Sequence, residues 1–224
     1  MTERFLHHLR VELPAAEETA AEARTRLAEK FPRAALRRMT HLGMLLGSAL
    51  DGLPLGADDA LVYATSFAET RALEDYLKSF PAASPLLFQT SIHPGGVQQV
   101  LIGRQQPIAR LWPLAGRARL VEHALLTALL ETAPRVALLG GEERGTWMHD
   151  YQMAAERSFA FAAVLTPEPS GATGRVAFSA TADSASGSAG DGPCPSLETF
   201  AVALAERRPL AWHGGGLVWT LEWS

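Results

Sequence analysis

Apolar and polar positions follow two different periods along this chain, and the switches between them mark out helices and strands. Residues 15–30, AAEETAAEARTRLAEK, are rich in good helix formers and read as an exposed helix. Residues 35–50 place Leu36, Met39, Leu42, Leu45, Leu46 and Leu50 at helical spacing, which predicts a second helix with a wide apolar face, ended by GLPLGADD. The short apolar run Ala60 to Thr65 suits a buried strand. Ser66-x-x-Glu69 has the form of a capping box and predicts a helix to about Phe80, followed by Pro81 and Pro85. LLFQTS then leads into His93-Pro94-Gly95-Gly96, with a helix beginning near Pro94 because proline suits a first helical turn.

Further strands are expected at Ile108 to Trp112, in RVALLGGEE, in FAFAAVLTP, in RVAFSAT and in the closing GLVWTLEW, and helices at about Arg117 to Glu131 and in SLETFAVALAERR. Residues 181–195 form a low-complexity polar stretch. Helices alternating with strands predict a single α/β domain over 1–224, a mixed central sheet with helices on both faces. One helix departs from the ordinary amphipathic pattern. LVEHALLTALLE, from Leu120, is apolar nearly all round after Ala124, so it is expected to be buried on both sides, within this chain or beneath a partner.

A formal net charge of -4 and the lack of a large basic block argue against nucleic acid as a partner. The first residues, MTERFLHHLRVELPAAEE, are too polar for a signal peptide, and no apolar run reaches membrane-spanning length, so the expected location is the cytoplasm. The single cysteine, Cys194, excludes an internal disulfide and disfavours a cysteine-based metal site, and no cofactor or metal is expected.

The segment Ser84-Pro85-x-x-Phe88-x-x-Ser91-Ile92-His93, the VEHALLTALL helix and the order of elements over residues 36–166 resemble the N-terminal half of β-ketoacyl synthases. The likeness is closer to the truncated, chain-length-factor type of aryl polyene pigment clusters, and it weakens before Ala34 and after about residue 180. It implies the thiolase-like αβα fold. It also implies that the nucleophilic cysteine, which belongs at the start of the buried helix, is replaced at or next to Gly116. The two catalytic histidines of the family lie in a half that this chain does not show. Acyl transfer needs a nucleophile and a base within reach of each other, so the resemblance implies a non-catalytic subunit. Such a subunit would form a heterodimer with a full-length β-ketoacyl synthase and shape its acyl tunnel. Phe88, Ser91, His93, Gln98 and Gln99 are implied as partner-interface or tunnel residues. An acyl carrier protein is a further implied partner, and without its partner the chain would be expected to self-associate.

Other residues carry competing readings. His93 could act as a base, or be a histidine at a helix start bonded to backbone. His213-Gly214-Gly215-Gly216 has the form of a lipase oxyanion hole, but no G-x-S-x-G elbow accompanies it; Ser-Gly-Ser-Ala-Gly at 186–190 has the wrong register. A small serine or acyl-thioester hydrolase using His93 or His213 is the alternative function, and a glycine turn before the last strand is the plainer reading. Glu142 and Glu143 follow a strand as neighbours whose carboxylates should point apart. Arg104, Arg110, Arg117 and Arg119 cluster in sequence, either as a solvated face or as a dock for an acidic carrier protein.

Overall fold

Strand β2 (Ala60–Thr65) and strand β4 (Val136–Glu142) are continuous runs of small and branched apolar residues, every one of them buried. They pair in parallel with each other, and β2 also pairs in parallel with β3 (Arg110–Ala115). This is the centre of a computed structural model that describes residues 1–180 and 193–224. The remaining strands are antiparallel: β1 (Thr2–Glu12), β5 (Phe159–Thr166), β6 (Gly174–Ala180), β7 (Leu210–Gly214) and β8 (Leu217–Trp223). Together they form one eight-stranded mixed sheet in the order β3-β2-β4-β5-β1-β6-β8-β7, with β3 and β7 at its edges.

The pleat divides the core in two, because successive side chains of a strand point to opposite faces. Leu61, Tyr63, Ala137 and Leu139 face α1 (Ala20–Leu27), α3 (His41–Ala49) and α6 (Gly95–Gly103). Ala60, Val62, Val136 and Leu138 face α7 (Leu120–Leu130) and α8 (Leu197–Ala205). Helices therefore cover both faces, as expected from the alternation in the sequence. The short helices α2 (Arg33–Leu36), α4 (Thr70–Lys78) and α5 (Pro85–Ser91) complete the fold.

Several elements differ from the sequence expectation, each for a local reason. The helix expected over 35–50 is broken. Thr40 takes an extended conformation and its side chain accepts the Gly43 amide at 3.0 Å, so α3 restarts there with its own cap. Ser66 and Glu69 do not form a capping box. The Ser66 amide is bonded to the Glu142 carboxylate, Ala68 is left-handed at φ 58°, and α4 begins only at Thr70. The helix expected over 15–30 is shorter, opened instead by a capping box between Thr19 and Glu22. Strand β1, helix α5 and strand β7 were not expected. The stretch expected as low-complexity lies, up to Gly192, outside the described residues. No helix among the described residues is long and apolar enough to cross a membrane.

Candidate functional site

Five acidic side chains are buried around the ends of β2 and β4 and the start of α7, and four of them are held by backbone amides. Glu142, the last residue of β4, accepts from the Ser66 and Phe67 amides and from the Thr65 hydroxyl. Its neighbour Glu143 turns the other way and accepts from Leu42 at 3.0 Å and Arg71 at 2.9 Å, at the starts of α3 and α4. The two carboxylates thus point apart, and no group of metal-ligating side chains able to hold a metal forms among the described residues. Glu69 accepts the Gly96 amide at 2.8 Å, and Glu74 holds the 144–158 connection through the Thr146 and Met148 amides. Burial pushes the Glu142 carboxyl up to about 7 against the opposing amide bonds. Burial likewise pushes Glu143 up to about 8 and His41, 3.6 Å from it, down to about 4.

Beside Glu142 opens a cleft of about 870 Å³, lined among others by Phe67, Arg117, Glu142, His149 and Ser196. Arg117 lies over the Phe67 ring, 5.3 Å from its centroid. The α5–α6 junction forms a different kind of surface. His93 packs on Tyr63, with ring centroids 5.1 Å apart, and its Nδ1 is 3.5 Å from Glu69. Beyond it α5 has no buried residue, although its sequence is PLLFQTS. Leu86 is 64% exposed and Phe88 49%, the latter resting on Tyr76. No charged residue occurs from Ser79 to Gly103.

No family model and no curated sequence matches the chain. Solved structures do. The chain superposes with a TM-score of 0.65 and 17% identity on the structure of the ketosynthase ApeO in complex with its chain length factor ApeC from Xenorhabdus doucetiae, covering 99% of this chain and 99% of that one. It matches the ishigamide ketosynthase/chain length factor at 0.65 and 11% identity, over 100% and 99% of the two chains. A β-ketoacyl synthase from Burkholderia phymatum STM815 matches at 0.56 and 12% identity, over 83% of this chain and 66% of that one. This is the ketosynthase fold.

Within the ketosynthase fold, the expected site residues fall in distinct places. Gly116 follows β3 with φ 143° and nothing within 4 Å of an added Cβ; its amide bonds Thr65. The helix after it starts later than expected, at Leu120, preceded by Arg119 in the left-handed conformation at φ 54°. Phe88 and Ser91 lie on α5, and Ser91 donates back to the Phe88 carbonyl at 2.8 Å. Gln98 is exposed on α6, whereas Gln99 is tied within the chain, accepting the Thr40 amide at 3.2 Å. His93 is not the backbone-bonded histidine of the plainer reading, since neither ring nitrogen has a hydrogen bond among the described residues.

The arginines that cluster in sequence are separated by the fold. Arg104 serves Gly47 and Asp51, Arg110 serves Glu131 and Arg119 serves Glu122. The expected burial of α7 on both sides is not met within this chain: Leu120, Val121, Ala124, Leu125, Ala128 and Leu129 are buried, but His123, Leu126, Thr127 and Leu130 form an incompletely covered stripe at helical spacing, with Leu130 59% exposed.

The start of α7 is closed by the triple glycine and the lone cysteine. Gly215 and Gly216, at φ 62° and 76°, make the two-residue turn between β7 and β8, which requires positive φ at both positions. Gly214 lies against Glu122, which also accepts from Trp212 Nε1 at 3.3 Å. His213 is exposed on β7, with no nucleophile elbow near it in sequence. Burial pushes the Cys194 thiol up, the opposite of an activated nucleophile. The glycine-turn reading therefore stands and the hydrolase reading has no geometric support. The buried acids Glu74 and Glu122, and His41 and Tyr63, escaped the sequence reading, and Glu69 was read as a cap residue rather than as a buried acid. Only the GGEE turn gave a signal for that region.

Proposed function

We propose that this chain is a non-catalytic, chain-length-factor-like subunit that pairs in the cytoplasm with an active β-ketoacyl synthase in type II polyketide or fatty-acid-like synthesis, with an aryl polyene as product class. The observation that carries this reading is α5. An apolar helix without one buried residue, inside an uncharged stretch of 25 residues from Ser79 to Gly103, is a surface that needs cover. Phe88, Ser91, His93 and Gln98 belong to that surface, and Gln99 supports it from behind.

Three further features support the reading. The structures that match this chain from end to end carry the names of ketosynthase and chain length factor together. The sole cysteine sits before α8 with a raised pKa, and Gly116 at the β3–α7 connection offers no nucleophile. The chain also ends its sheet on an open strand, β3, whose Trp112 is half exposed and donates to Glu131 at 2.6 Å. Burial of Glu131 is outweighed by the bonds from Trp112 and Arg110, which hold its carboxyl down at about 2 and so fix the side chains along this edge.

The test is co-expression of the untagged chain with a tagged full-length ketosynthase from the same gene neighbourhood, followed by size-exclusion chromatography with light scattering. A one-to-one complex with condensation activity, absent from the chain alone, is expected. The chain by itself is expected to self-associate through α5. A chain that stays monomeric and ignores every neighbouring ketosynthase would overturn the reading.

A further inference from the structure

The chain is acidic overall, yet Arg33, Arg37 and Arg38 place three positive charges and no negative one within six residues. All three are exposed on α2 and the turn after it. None of the three guanidinium groups has a hydrogen bond or ion pair among the described residues. Several other exposed arginines are engaged: Arg26 with Glu12 and Glu18, Arg135 with Asp59, Arg175 with Glu3 and Glu222. The three free arginines are not on a loose tether. Phe31 and Met39, which bracket them, are buried in the α3–α6 side of the core. Arg24 donates from α1 to the Leu36 carbonyl at 2.5 Å and the Met39 carbonyl at 3.2 Å, clamping the segment and adding a fourth cation beneath it. Ala35 packs on Gly103 of α6, next to Ile102, which is 76% exposed.

We infer that Arg33, Arg37 and Arg38, with Ile102 beside them, form a docking surface for an acidic helical protein, of the kind an acyl carrier protein presents. Arg33 and Arg37 stand one helical turn apart, a spacing that matches carboxylates one turn apart on a partner helix. Unpaired, pre-positioned arginines can form bidentate bonds to carboxylates without first breaking an internal ion pair. Ile102 offers an apolar contact of the sort found at the centre of small interfaces. The choice of a carrier protein as the acidic partner rests on the chain-length-factor reading; the acidic character of the partner rests on the charges alone. Of the arginines first considered for this role, Arg104, Arg110 and Arg119 are already engaged by Asp51, Glu131 and Glu122, and Arg117 lies over the Phe67 ring.

The test is fluorescence anisotropy of a labelled holo acyl carrier protein, titrated with the full chain alone and with its ketosynthase complex, at low and high salt. The triple variant R33E/R37E/R38E is expected to weaken binding at least about tenfold and to remove most of its salt dependence. R208E, a charge reversal at a distant paired arginine, is expected to leave both unchanged. Equal loss from R208E, unchanged binding by the triple variant, or no salt-dependent binding to either the chain or its complex overturns the surface. Complex formation with the ketosynthase is scored separately by light scattering. Loss of carrier binding in the triple variant with no ketosynthase complex ever forming would sink the subunit reading and leave the acidic dock standing; an intact complex that ignores the three reversals would do the opposite.

Discussion

Helices α3 and α5 read alike in sequence, HLGMLLGSA and PLLFQTS, both apolar and both capped by a hydroxyl side chain. All nine residues of α3 are buried and none of the seven of α5 is. The difference is one of position. α3 crosses β5, β4 and β1 at the middle of the sheet, where Leu42, Leu45 and Leu46 meet a continuous apolar face. α5 packs chiefly on α4 and, less, on α6, and its apolar side chains Leu86 and Phe88 stay exposed. An apolar helix side left uncovered by the chain's own core is a candidate contact surface, and apolar surface under the sheet belongs to folding.

The sharpest way to break this contrast is to truncate one side chain in each helix. Leu45→Ala is expected to lower the stability of the isolated chain by about 2–5 kcal/mol, and Phe88→Ala by less than about 1 kcal/mol, both read by urea denaturation. Equal costs would mean that α5 is a folding element after all. A control within the sheet comes next. Gly140 leaves room for the Phe161 ring paired opposite it on β5, so Gly140→Ala is expected to cost about 1–3 kcal/mol through overpacking.

On the binding side, Phe88→Asp should leave the melting temperature of the chain nearly unchanged while weakening ketosynthase association at least about tenfold, or about 1.4 kcal/mol. Association measured by light scattering across a concentration series checks this. If Phe88→Asp assembled normally, α5 would lose its role.

A gentler effect concerns pH, and its sign follows from the two buried carboxyls. Unfolded, Glu142 and Glu143 release their protons near pH 4.5; folded, they keep them to about 7 and about 8. The folded state therefore holds more protons in that window, and stability falls as pH rises through it. His41 acts oppositely between its ordinary value of 6.5 and about 4, but it is one group against two. Thermal melts are expected to be higher at pH 5.5 than at pH 8, with a smaller difference in Glu142→Gln and Glu143→Gln. An unchanged pH dependence in both variants would remove these carboxyls from the account. The smallest effect is at Gln98, exposed on α6, where Gln98→Ala should alter stability by no more than about 0.5 kcal/mol.

Legibility in the sequence followed the kind of interaction that decides each element. β2 and β4 were readable because a strand buried on both faces must be apolar throughout, and the structure starts and ends β2 at the residues expected. β1 was missed because its exposed positions are His8 and Arg10 and its partly buried ones include Glu3 and His7, although Leu6 is buried in the core. The helix expected near Pro94 is present as α6, whereas α5, a separate helix opened by the Ser84 hydroxyl ahead of Pro85, was missed. The Ser66–Glu69 spacing had the right residues for a cap, but a carboxylate 76 residues away, Glu142, took the Ser66 amide first.

By itself, the sequence determined the layered α/β architecture, the turn at the triple glycine and the absence of a cysteine before residue 194. These rest on local propensity, on periodicity and on simple inventory, which need no knowledge of distant contacts. Only the tertiary structure decided which apolar helix is core and which is surface. It also decided which glutamates are buried on backbone amides and which arginines are left without a partner. Each of those depends on what the sheet brings alongside, over separations of tens of residues, and burial and pairing are properties of that arrangement rather than of the residue.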